Sequence, residues 1–375
     1  MDSLPLRAAV QQIAARVGRT TGRGIVANMR SRYPSSFIVL IVILLVTANT
    51  INLGADLGAM GEVTALAVGG PPHPYVIGFG LFCAGTQIFV HYANYVRILR
   101  WLTLSLFAYV ATTLAIDVPW GEVARRTLLP NIALRPEYLL AVVAILGTTI
   151  GPYLIFWQAA EEVEDLIVVE GVALLREPKE ARPELRRIAL DTWLGIGFSN
   201  LVGLFIIIAT AATLHRAAGA QTITSARQAA QALKPIAGSL ATMFFAAGVI
   251  GTGLLAVPVL AGSAAYGVGE ALDQPVGLGR RPQQARVFYS VIAFATMIGT
   301  GLHFTPLDPM RALFWSSVIN GVLVVPILVL LLLVARDVEV MGPLRVKGPL
   351  LWLGWTTVMM MTVASLATVY LWAER

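Results

Sequence analysis

The residues of this sequence with the clearest chemical potential are a Gly-Pro pair and a carboxylate, each inside a long apolar segment. Gly151 and Pro152 interrupt one segment just after Thr148 and Thr149, and Asp56 lies in another. Proline lacks a backbone N–H, so a helix that meets this pair leaves carbonyl oxygens without donors. A cation in a polar cavity can use such oxygens as ligands. An ordinary proline kink explains the same residues, and the residues alone leave both interpretations open.

Asp56 belongs to a polar stripe with Asn49 and Asn52. At 100° per residue, the three side chains fall within about 60° of one another on one helix face. A carboxylate in hydrocarbon costs at least a few kcal/mol, which favours a cavity-facing position for Asp56. The two asparagines fit hydrogen bonds between helices equally well. Asn320, in a later apolar segment, is a further candidate for lining a pore.

Composition places these residues in a membrane protein. Of the 375 residues, 57% are apolar and 13% are charged, whereas soluble domains carry about a quarter charged residues. One cysteine, Cys83, excludes a disulfide framework and a cysteine metal cage. The sequence shows no nucleophile motif, phosphate loop or HExxH motif, so we expect no enzyme activity and no cofactor.

Apolar segments long enough to cross a bilayer number about nine. They lie near 36–67, 74–95, 98–116, 137–160, 189–214, 239–268, 287–304, 311–335 and 350–373. Residues 1–35 are expected to form a cytoplasmic segment, and residues 36–373 the transmembrane core. Most of the 27 Lys and Arg residues fall in alternate connections that begin with the N-terminal segment, which predicts a cytoplasmic N-terminus. This placement explains the net charge of +6, so we expect no nucleic-acid partner. It also fits a bacterial inner (plasma) membrane.

Three motifs carry a resemblance to a known family. Residues 48–60, with Asn49, Asn52 and Asp56, resemble the third transmembrane helix of the NRAMP-like divalent metal transporters. Residues 147–153 resemble the broken sixth helix of that family, and residues 251–258 resemble its eighth. The resemblance implies an all-α polytopic protein with a LeuT-type fold of two inverted five-helix repeats. Residues 10–29 resemble the end of the second helix, so the fold is expected to be N-terminally incomplete and to lack the first helix.

The resemblance also implies a function and a site. The implied function is secondary transport of divalent cations of the Mn²⁺, Mg²⁺ and Fe²⁺ class, with the metal as substrate, the lipid bilayer as surroundings and protons as a candidate co-substrate. The implied metal ligands are Thr148, Thr149 and Gly151, at the helix break made by Gly151 and Pro152. The permeation or proton path would include Asn49, Asn52, Asp56, Tyr153, Gln158 and Asn320.

The chain departs from the family pattern at the break. Gly151-Pro152-Tyr153 stands where members carry Met-Pro-His, and Gln158 stands at a second histidine position. A site made of oxygen ligands suits hard cations such as Mg²⁺ or Mn²⁺. Ala59 occupies a position where a glutamate is expected, which argues against full proton coupling. Two alternatives are a LeuT-type carrier of small organic solutes and an inactive, N-terminally truncated membrane fragment.

Overall fold

The chain forms helices joined by short connections. The computed structural model describes residues 4–90, 92–114, 116, 118–128, 136–168, 171–176, 178–217, 225–306 and 309–373, and no strand occurs within them. The helices are α1 (Leu4–Thr21), α2 (Ile25–Arg30), α3 (Ser35–Val68), α4 (His73–Phe89), α5 (Tyr92–Leu102), α6 (Phe107–Leu114), α7 (Trp120–Leu128), α8 (Pro136–Thr149), α9 (Pro152–Val168), α10 (Ala181–Ala217), α11 (Ala226–Ala271), α12 (Arg286–Leu302), α13 (Pro309–Arg336), α14 (Val338–Met341) and α15 (Pro349–Ala373).

Helices lie in each of the nine segments predicted to cross the bilayer, but they differ in length. Six stretches of helix in the described chain are long and apolar enough to span a membrane: Ser35–Val68, Ala141–Val168, Ala181–Ala212, Thr242–Ala271, Arg311–Arg336 and Pro349–Ala367. The helix α12 is apolar but shorter, and α4 has 17 residues. The segment near 98–116 is divided among α5, a 3₁₀ turn and α6. That α4, α12 and the segment near 98–116 each cross the bilayer remains a prediction.

The long helix α3 lies at the centre of the bundle, in contact with α4, α11, α12 and α13. Small residues permit this close packing. A methyl group added to Gly54 would lie 2.7 Å from the carbonyl oxygen of Gly299 on α12, so the two backbones are nearly in contact. Because neighbouring helices cover α3, its polar side chains near this contact face protein rather than lipid.

The first helix, α1, packs along α9, α10, α13 and α15. Its small and apolar side chains are buried, from Ala8 and Ala9 to Ile13 and Val17. Gly18 lies against the backbone of Ala159 on α9, where an added methyl group would be 2.3 Å from the carbonyl oxygen. Part of the segment expected to be cytoplasmic is therefore packed among the helices of the core.

The helices α8 and α13 cross at a pair of glycines. A methyl group on Gly147 would lie 2.1 Å from the carbonyl oxygen of Ser317 and 2.6 Å from the backbone nitrogen of Gly321. The atoms in the way belong to the backbone of α13, which cannot move aside as a flexible side chain can. Glycine at position 147 thus sets how closely the end of α8 approaches α13.

We expect Gly147→Val to separate α8 from α13 and to destabilise the fold. Overpacking of a well-packed site costs about 1–3 kcal/mol, and the backbone contact places this substitution at the upper end. The matched control is Gly195→Val on α10, since nothing lies within 4 Å of a methyl group there. Thermal melting of the purified proteins in one detergent checks the prediction, and equal melting temperatures for the two variants would contradict it.

Candidate functional site

The predicted helix break is present between α8 and α9. The first helix ends at Thr149 and the second begins at Pro152, so Ile150 and Gly151 connect two helix ends. Pro152 has no N–H to donate to the carbonyl of Thr148, four residues earlier. That carbonyl also lies at the negative end of the α8 dipole. The break therefore offers a cation an oxygen that lacks its helical donor.

The hydroxyl groups beside the break are turned back onto their own helix. Thr148 Oγ1 donates to the carbonyl of Ala144 at 2.9 Å, and Thr149 Oγ1 donates to that of Leu146 at 3.2 Å. The carbonyl of Gly151 accepts a bond from the backbone N–H of Leu154 at 3.1 Å. The threonine hydroxyl groups therefore donate back along α8, and the Thr148 carbonyl is the backbone oxygen at the break that proline deprives of its helical donor.

Asp56 lies on α3, close enough to Tyr153 on α9 for the two side chains to interact electrostatically. The phenol of Tyr153, the second residue of α9, is within electrostatic range of the Asp56 carboxylate and of the Arg7 guanidinium. The phenol of Tyr109, on α6, also interacts electrostatically with Asp56. Asp56 makes no hydrogen bond or ion pair with any residue that the structure describes. Its half-buried carboxylate is consequently available to a mobile ion or a proton.

The two asparagines of the predicted stripe contact different helices. Asn49 Nδ2 donates to the carbonyl of Leu260 at 3.1 Å and to Ser263 Oγ at 2.9 Å, both on α11. Asn52 Oδ1 accepts a hydrogen bond from Ser316 Oγ on α13. Both asparagines thus join α3 to a neighbour, and Asn49 does so with two bonds.

Asn320 differs from these two residues because its amide has no partner. It is 1% exposed, and neither its oxygen nor its nitrogen forms a hydrogen bond within the described part of the chain. Ser316, one turn earlier on the same face of α13, contacts α3. Gly321, the next residue, contacts α8 at Gly147. Asn320 therefore lies where α3, α8 and α13 meet, near the break.

Gln158 lies in α9, about 10 Å along the helix from Gly151 at 1.5 Å per residue. Its side chain is half-buried. No group of three or more His, Cys, Asp or Glu residues able to hold a metal ion occurs in the described ranges. A metal at the break would accordingly depend on carbonyl and amide oxygens, with Asp56 as the nearby carboxylate. The structure brings Gly151, Tyr153, Asp56 and Asn320 to one region and leaves Gln158 further along α9.

The sequence interpretation missed a buried arginine at the break. Arg7 on α1 is 8% exposed and lines a narrow cleft together with Thr149, Ile150 and Gly151. Its guanidinium donates to Asn200 Oδ1 on α10. Assigning the first 35 residues to the cytoplasmic side concealed this role. The available signal was the small and apolar residues around Arg7, which are typical of a buried helix.

Two members of the acidic run at the end of α9, residues 161–165, are buried. Glu162 pairs with Arg187 at 2.6 Å. Glu164 is 2% exposed; its Oε1 accepts bonds from Tyr266 Oη at 2.6 Å and the backbone N–H of Leu278 at 2.7 Å. Glu164 also lines a cavity of about 880 Å³ between α9, α11 and the connection after α1. These carboxylates are therefore used mainly to hold helices together.

We expect opposite outcomes from replacing the two buried amides on α3 and α13 with leucine. Asn49→Leu removes two hydrogen bonds between α3 and α11, which costs about 1–3 kcal/mol. Asn320→Leu removes an amide without partners, so stability should be unchanged or higher. Melting temperatures of the two variants and the parent protein check this, each variant serving as the control for the other. A loss for Asn320→Leu as large as that for Asn49→Leu would show that the amide has a structural partner.

Solved structures of other transporters resemble this arrangement of helices. The structure resembles that of the Eremococcus coleocola manganese transporter in complex with an aromatic bis-isothiourea substituted compound, with a TM-score of 0.71 and 17% identity over 98% of this chain and 78% of that one. A mutant of that transporter gives a TM-score of 0.74 and 16% identity over 97% of this chain and 78% of that one. Mhp1, a nucleobase-cation-symport-1 family transporter, gives a TM-score of 0.60 and 16% identity over 99% of this chain and 83% of that one.

These likenesses show the fold, a LeuT-type bundle of helices. No curated protein sequence matches the chain significantly. A family profile described as natural resistance-associated macrophage protein-like, or Nramp, matches residues 2–371, almost the whole chain. The broken helix, the central α3 and the apolar exterior all belong to one multi-pass membrane protein, and the chain is a member of the Nramp family.

Proposed function

We propose that this protein is a secondary transporter that carries divalent metal cations across a membrane. The observation that supports this most is the helix break, where the Thr148 carbonyl lacks a donor because residue 152 is proline. A cation bound there replaces the missing donor, and the negative end of α8 favours it. The manganese transport named for the structurally similar protein points to the same class of substrate.

The proposed ligands are the carbonyls of Thr148 and Gly151, with Thr149 beside them. Oxygen ligands of this kind favour hard divalent cations, so Mn²⁺ and Mg²⁺ are expected to be carried better than softer ions. Fe²⁺ belongs to the same proposed class. The metal is a substrate that passes through, and the proposal includes no enzyme activity and no cofactor.

The proposed path past the break is lined by Asp56, Asn52, Tyr153 and Asn320. Asp56 supplies the negative charge, and Asn320 supplies an amide oxygen that has no other partner among the described residues. Gln158 lies further along α9 and would contact a cation after it leaves the break. Asn49 is proposed to hold α11 against this path through its two hydrogen bonds.

The orientation and the coupling ion belong to the same proposal. Most basic residues lie in alternate connections beginning with the segment from the end of α1 through α2, which favours a cytoplasmic position for that segment in a bacterial inner membrane. Asp56 is the candidate proton carrier. A pH gradient should change the rate of metal uptake if Asp56 exchanges protons during transport.

Mn²⁺ uptake into proteoliposomes that contain the full chain should fall about tenfold or more in Asp56→Asn. The change removes the attraction between a carboxylate and a nearby divalent cation, and in a partly shielded site this attraction changes binding by about tenfold or more. Asp191→Asn is the matched control, since the Asp191 side chain is 67% exposed and pairs with Arg187 on its own helix. Uptake is measured with a fluorescent metal indicator inside the vesicles.

The same assay separates the proposal from its main alternative. The likeness to Mhp1 is the observation that favours a carrier of organic solutes. In that case the protein would show no flux of Mn²⁺ or Mg²⁺. Wild-type uptake no greater than that of empty vesicles would overturn the metal-transport proposal, and unchanged uptake in Asp56→Asn would remove Asp56 from the path.

A further inference from the structure

A positively charged side chain lies beside the place where the proposed function puts a divalent cation. Arg7 lines the cleft formed with Thr149, Ile150 and Gly151. The residue is 8% exposed, so solvent does little to screen its charge. Like charges in such surroundings repel strongly, and Arg7 must affect any cation that approaches the break.

The surroundings of Arg7 explain how an arginine can be buried at this position. Its guanidinium donates to Asn200 Oδ1, a neutral acceptor. No carboxylate pairs with it in the described part of the chain, and its Nε atom is buried without a hydrogen bond. A buried charge without a counterion needs other electronegative groups nearby. The negative end of α8, which ends at Thr149 in the same cleft, is a group of this kind.

Arg7 and a transported cation would therefore be stabilised by the same negative helix end. Both are attracted to the C-terminal end of α8. The phenol of Tyr153 interacts with Arg7 as well as with Asp56, so the opposite charges of Arg7 and Asp56 both act in the region around this phenol. A cation that enters this region gains the attraction of Asp56 and meets the repulsion of Arg7.

We propose that Arg7 is a tethered cation that competes with the substrate for the end of α8 and so keeps metal binding weak enough for release. This inference rests on the proposed function and adds a determinant of affinity to the same site. Arg7 acts on the metal through its charge rather than as a ligand. Removing the charge should therefore tighten binding, whereas a purely structural defect would weaken it.

The variant Arg7→Gln tests the proposal in the purified full chain. With an effective dielectric constant of about 20, loss of a unit charge within about 10 Å of a divalent ion is worth at least tenfold in affinity. The Kd for Mn²⁺, measured from the electron paramagnetic resonance signal of free Mn²⁺, should fall at least tenfold. Uptake into vesicles at saturating Mn²⁺ should fall as well, because release becomes slower.

Two variants serve as controls. Arg16→Gln removes a half-buried arginine of α1, whose guanidinium contacts the carbonyl of Leu344 at 3.4 Å rather than the break. Arg7→Lys keeps the charge. Both should bind Mn²⁺ within about threefold of the parent chain, since neither changes the charge at the break. If Arg7→Gln does not fold, Asn200→Ala decides, because it removes the described anchor of the guanidinium and should tighten binding to a smaller extent.

The outcomes distinguish the inference from the function on which it rests. Tighter binding in Arg7→Gln, with unchanged binding in the two controls, supports the tethered cation, including the case in which only the variant binds measurably. Binding by the parent chain that is equal or weaker in Arg7→Gln overturns the inference and leaves metal transport in place. No Mn²⁺ binding by the parent chain or any variant overturns the proposed function, and the inference with it.

Discussion

Backbone polar groups inside a membrane need partners, because hydrocarbon supplies neither donors nor acceptors. A continuous helix meets this requirement by itself, but the segment from α8 to α9 does not, since Pro152 cannot donate to the Thr148 carbonyl. The rest of the bundle is arranged around that deficiency. Helices α1, α3 and α13 surround the break and place Arg7, Asp56 and Asn320 near it. The polar groups in this region are those that an interrupted helix in lipid requires.

The buried polar side chains fall into two groups with different energetic roles. Asn49 Nδ2 and the Glu164 carboxylate have partners elsewhere in the chain, and their hydrogen bonds hold α3 and α9 against α11. Asp56 and Asn320 are not satisfied in this way by the described residues. Since leaving a buried polar group unpaired costs about 1–3 kcal/mol, such groups are retained where a ligand, a proton or water completes them.

Much of the fold and part of the site could be predicted from the sequence. Apolar length predicted the helices, which depend on local chemistry. The missing N–H of Pro152 predicted an interruption but left a kink and a break open, and the break was implied by the family resemblance. The partners of Asn49, Asn52 and Glu164 could not be predicted, since helical periodicity gives the face of a side chain but not the helix opposite. Arg7 was missed for a related reason. Arginine normally marks a cytoplasmic segment, and the small and apolar residues around Arg7 were the sign of burial that the packing of α1 against α9 and α10 makes plain.

The contacts of the two halves of the broken helix differ, and this has a mechanical meaning. The first half, α8, packs on α13 and α15, whereas α9 packs on α1 and α11. Glu164 fastens the far end of α9 to Tyr266 and to the backbone after α11. Each half is therefore attached to a different set of neighbours, and Ile150 and Gly151 form the joint between them. A displacement of one set relative to the other would bend the chain at this joint and change the spacing of the carbonyl oxygens on its two sides.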